Sequence, residues 1–128
     1  MLITGLALAG IAALIHVYIF YLESFAWTRP KTLATFGMTA QEAEAMRPMA
    51  LNQGFYNLFL AIVTAVGIVL AAAGSTAVGA ALVLAGAGSI VAASVVLVVS
   101  DPTKRSAALK QGVVPLLGVV ALVIGLAV

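Results

Sequence analysis

Apolar residues fall into four long blocks separated by short polar stretches. The first runs from Leu2 to Leu22, broken only by Thr4, His16 and the glycines. The second begins near Leu51 and reaches Ala73, Gly74-Ser75 makes a tight break, and the third covers Thr76 to Val99. The last begins near Gln111 and reaches Val128. At 1.5 Å of rise per residue, each block is long enough to cross a hydrocarbon core about 30 Å thick. Lipid offers nothing to pair with backbone N–H and C=O groups, so apolar runs of this length are helices. A membrane β-barrel would show alternating segments of about ten residues, and none occur. The pattern predicts an all-α, integral membrane four-helix bundle over 1–128, with spans at about 2–24, 51–73, 76–99 and 105–127. The first block lacks the basic leader and cleavage site of a signal peptide and is expected to stay as a helix.

The polar stretches carry their own signals. Thr39 and Glu42 have the spacing of a capping box, which predicts a short helix over about 40–46 that Pro48 should kink or end. Asp101-Pro102 reads as an N-cap followed by proline at the first helical position, starting the fourth helix. Trp27 is expected at the membrane interface as an aromatic anchor.

Composition agrees with the pattern. The chain of 128 residues is 64% hydrophobic and 8% charged, where soluble domains carry about 25% charged residues. No cysteine is present, which excludes disulfides and thiolate chemistry. All six basic residues fall in two loops: Arg29, Lys31 and Arg47 before the second span, Lys104, Arg105 and Lys110 before the fourth. The positive-inside rule then places both basic loops in the cytoplasm and both termini outside.

Helical spacing gathers the remaining polar residues onto inward faces. Gly5, Ala9, Ala12, His16, Phe20 and Glu23 share one stripe of the first span; Gln53, Asn57, Leu60, Thr64, Gly67 and Ala71 share one of the second. Gly79, Gly86, Ala93 and Ser100 recur on the third span, and Gln111, Gly118 and Gly125 on the fourth, with Pro115 beside them. Small residues on facing stripes suit close helix packing. Glu23, Asn52, Gln53, Tyr56, Asn57 and Gln111 all belong to the cytoplasmic end, with His16 about 10 Å deeper along its helix. The expectation is a polar pocket opening to the cytoplasm beneath an apolar outer half. Glu23 is also placed to reach water or to pair with Arg29 or Lys110.

The stretch from His16 through Glu23 to Trp27, the Asn52-Gln-Gly-Phe-Tyr-Asn57 block, and Gln111-Gly112 with Pro115 resemble the bacterial membrane-protein family known as domain of unknown function 1304. Pro48 departs from its pattern. The resemblance covers nearly the whole chain and implies a small four-helix protein of the bacterial plasma (inner) membrane. It marks His16, Glu23, Asn52, Gln53, Tyr56, Asn57 and Gln111, and it brings no reaction, substrate or cofactor.

Catalytic templates mostly fail. One histidine and no cysteine cannot fill the common zinc patterns, and neither a G-x-S-x-G elbow nor a phosphate-cradling P-loop is present. No cofactor, no metal and no nucleic-acid partner is expected. Three readings follow. The first is a binder of a small amphiphile or lipid, or an accessory subunit of a membrane transport assembly. A second is a small proton-coupled transporter acting as a homo-oligomer. The third is a membrane enzyme on a lipid-soluble substrate, with His16 and Glu23 as its catalytic candidates.

Overall fold

The computed structural model describes residues 1–128. Its helices are α1 (Leu2–Ser24), α2 (Pro30–Phe36), α3 (Ala40–Ala72), α4 (Thr76–Ser100) and α5 (Arg105–Ala127), with a 3-10 turn at Pro102–Lys104 leading into α5. There are no strands. Four of the helices are long and apolar enough to cross a membrane.

Local chemistry sets the boundaries. The capping box at the start of α3 is complete: the Glu42 amide donates to Thr39 Oγ1, and the Thr39 amide donates to the Glu42 carboxylate at 2.8 Å. These bonds hold the Glu42 carboxyl below the usual carboxylate range, the backbone bond first. Its contribution to the helix start is therefore full above the ordinary carboxylate pKa and fades as pH falls through the lowered one. Thr39→Ala should cost about 1 kcal/mol. It should also speed amide exchange over 40–46 and leave the spans unchanged. Asp101 caps the turn before α5 by accepting from the Thr103 amide at 3.0 Å. The α3–α4 break turns on Gly74, whose φ of +95° lies in the left-handed region.

The helix expected over 40–46 is not separate. α3 runs unbroken through Pro48. Proline leaves the carbonyl four residues back, that of Glu44, without its usual donor. Glu44, Arg47 and Pro48 are all exposed, so that carbonyl is not sealed in an apolar core. α3 is thus about 50 Å long and projects beyond the apolar segment that begins near Leu51.

The spanning helices form a ring in the order α1, α3, α4, α5, each antiparallel to its neighbours, with α1 opposite α4 and α3 opposite α5. Small residues let the backbones meet. A methyl on Gly5 would lie 2.5 Å from the Leu122 amide nitrogen, and one on Gly67 would lie 2.7 Å from the Gly79 carbonyl. Gly118 abuts Ala9, and Gly125 abuts Leu2. Ala9, Val83, Ala87 and Leu122 are completely buried at the centre of this packing. All of these contacts lie in the half of the bundle that carries the chain termini and the Gly74 turn. Here the wall is closed.

Candidate functional site

The opposite, basic end is built differently. α1 and α3 stay in contact there, with Gly54 against Ser24 and Glu23, and so do α4 and α5, with Gly112 against Ser94. Between these two helical hairpins lies a cavity of about 670 Å³. His16, Leu60 and Ile90 line its deep part. α1 and α3 contribute polar groups from Glu23, Gln53, Tyr56 and Asn57, whereas α4 contributes Ala93, Val96 and Leu97, and α5 contributes Gln111.

A roof closes much of the basic end. After α1 the chain turns back into α2, with Pro30 at its first turn and Gly37 ending it at φ +62°. Trp27 sits under this element and is 9% exposed. Its indole N–H donates to the Ala43 carbonyl at 2.7 Å, and its ring packs against Phe36 with centroids 5.3 Å apart. The expected interfacial anchor is therefore an interior latch, because α2 folds over it and α3 supplies the acceptor. Across the cavity mouth, Lys104 donates to the Phe36 carbonyl at 2.8 Å and to that of Gly37 at 3.4 Å.

The buried polar groups are not equally satisfied. Thr64 and Ser94 return their hydroxyls to carbonyls of their own helices, at 2.8 and 2.9 Å. His16 is 2% exposed, and Nδ1 lies 2.9 Å from the Ala12 carbonyl. A carbonyl only accepts, so Nδ1 carries the proton and Nε2 of the neutral ring presents a lone pair. No protein donor meets Nε2. Glu23 accepts from Asn57 Nδ2 at 2.8 Å. It pairs with neither Arg29, which donates to the Tyr21 hydroxyl, nor Lys110. The one ion pair in the chain is Arg47 with Glu44, both exposed.

Of the seven residues marked from the sequence, His16, Glu23, Gln53, Tyr56, Asn57 and Gln111 line this one cavity. Asn52 does not; it is exposed on a different face of α3. Phe20, a member of the α1 stripe, stacks edge-on against Phe55 at 5.2 Å instead of facing the cavity. Ser100 of the third-span stripe also lines it, as do Trp27, Phe36, Met38, Glu42, Met46 and Lys104, which spacing alone did not mark. No group of three or more His, Cys, Asp or Glu residues is assembled that could hold a metal ion.

A protein-family model described as Protein of unknown function (DUF1304) matches residues 10–123. The chain belongs to this family. The matched region of this DUF1304 protein contains His16, Gln111 and every other cavity residue named above. No curated protein and no solved structure matches the chain. Membership brings no reaction with it, so the chemistry has to come from the cavity.

Proposed function

We propose that this DUF1304 protein is a small multi-pass protein of a bacterial plasma membrane that holds a small amphiphile or lipid in its cavity, either alone or as the accessory subunit of a membrane transport assembly. The observation that carries this reading is the division of the lining. The α1–α3 hairpin presents His16, Glu23, Gln53 and Asn57 beside the apolar Leu60 and Met46, and the facing α4 presents Ile90, Ala93, Val96 and Leu97 with Ser100 as its one polar lining residue. A cavity of about 670 Å³ falls within the range of roughly 300–1,000 Å³ that suits small-molecule ligands. All six Lys and Arg residues lie toward the cavity end, which supports a mouth facing the cytoplasm.

The other readings fit less well. A carrier must expose its site on both sides, whereas backbone contacts close the terminal end of a single copy. A homo-oligomer would have to supply a second route. An enzyme would need its substrate to bridge His16 and Glu23, which share no hydrogen bond.

Native mass spectrometry of protein extracted gently from its own membrane, beside His16→Ala at equal folded yield, tests the binding reading. The expected result is a stoichiometric adduct or a foreign subunit on the wild type that is depleted in the variant. A bare monomer or homodimer in both samples would count against it.

A further inference from the structure

The cavity is unusual in what it leaves unpaired. His16 is 98% buried, yet its Nε2 lone pair has no protein donor. Glu23 receives a single protein hydrogen bond, on Oε2 from Asn57, and Oε1 receives none. Both groups accept, and no cation stands within 4.0 Å of Glu23. The charges around the cavity are two carboxylates, Glu23 and Glu42, and one ammonium, Lys104. Lys104 is held at the mouth by two carbonyls and faces Glu42 electrostatically. That leaves the Glu23 carboxyl facing the interior with no basic partner. Nε2 of His16 and Oε1 of Glu23 thus face the cavity without a protein donor, and the occupant that matches them brings N–H groups and a positive charge.

We infer that the cavity binds an apolar molecule bearing a protonated amine, whose ammonium donates to Glu23 beneath the Trp27 roof while its tail lies along the Ile90–Leu97 face of α4. This assignment rests on the amphiphile-binding reading and narrows it to one head-group class. His16 Nε2 accepts a second N–H, directly or through a water. Trp27 and Tyr56 are also in the lining, and aromatic rings attract cations. An anionic head group would bring no donor to either Glu23 Oε1 or His16 Nε2.

The single tryptophan lines the site, so its fluorescence reports occupancy. Purified protein in nanodiscs of zwitterionic lipid is titrated with decylammonium, decanol and decanoate at neutral pH, and empty nanodiscs are subtracted. The expected result is saturable binding in which decylammonium is tighter than decanol by at least about tenfold, as for a charge-assisted hydrogen bond, with decanoate weakest. Glu23→Gln should remove that preference while decanol still binds, and Glu23→Asp should retain much of it. Equal binding of ammonium and alcohol, or a preference that survives Glu23→Gln, overturns the amine assignment and leaves the amphiphile reading standing. If none of the three probes saturates on the folded wild type, both are overturned.

Discussion

Gly79→Ile should cost roughly 3 kcal/mol or more and sharply lower the yield of folded protein, at or beyond the upper end of ordinary overpacking. A side chain at Gly79 has nowhere to go: its first carbon would lie 2.7 Å from Ala71 Cα and 2.5 Å from the Gly67 carbonyl oxygen, both backbone atoms. Only separation of α3 from α4 relieves that overlap, and separation also exposes the packing around Val83. Gly88 is the internal control. It lies on the same helix, and nothing stands within 4 Å of a methyl placed there. Gly88→Ile should therefore change stability by less than about 0.5 kcal/mol. Thermal or denaturant unfolding of the two variants in one detergent checks the pair. Equal melting would mean that α3 and α4 do not approach as closely as described.

Trp27→Ala should cost about 3–5 kcal/mol, as large-to-small changes of buried aromatics do, but the loss should be local. Trp27 packs with Ala43 and Ala50, flanked by Leu33, Phe36 and Met38, so its removal unseats α2 and the first turns of α3. Faster amide exchange and proteolysis over residues 30–46 are expected, with the spanning segments still protected. Trp27→Phe retains most of the apolar contact and loses only the indole bond to Ala43, at about 1 kcal/mol. A tryptophan acting only as an interfacial anchor would leave exchange over 30–46 unchanged in both variants.

The spans were legible because lipid permits one backbone solution and because glycine and alanine mark where helices touch. Gly5, Gly67, Gly79 and Gly118 fell on the inward stripes and are the close contacts of the bundle. Six of the seven marked polar residues share a cavity for a similar reason: helical spacing fixes a face, and the basic loops fix an end. The roof was harder to see. Pro30 and Gly37 are ordinary start and stop signals, but the seven residues between Arg29 and Gly37 are too few for periodicity to show. Without that helix, Trp27 looked like a surface anchor, and Lys104 looked like a marker of sidedness. Pro48 misled differently, since a local rule about proline took no account of an exposed helix surface where the missing bond is cheap. Asn52 was placed by its neighbours in sequence, and one residue's rotation of about 100° on a helix carries it off the shared face.

The covalent wiring has a mechanical consequence. α2 connects α1 to α3, and the turn at Pro102–Lys104 connects α4 to α5, so both links at the basic end stay within a hairpin. The one link between hairpins passes through Gly74, at the end where glycines press the backbones together. The chain is wired like a pair of tongs, with its pivot at the closed end and its jaws around the cavity. Parting the jaws would stretch no loop. Among hydrogen bonds, only those from Lys104 to the carbonyls of Phe36 and Gly37 join one arm to the other. The grip of the tongs thus passes through one ammonium group at the rim.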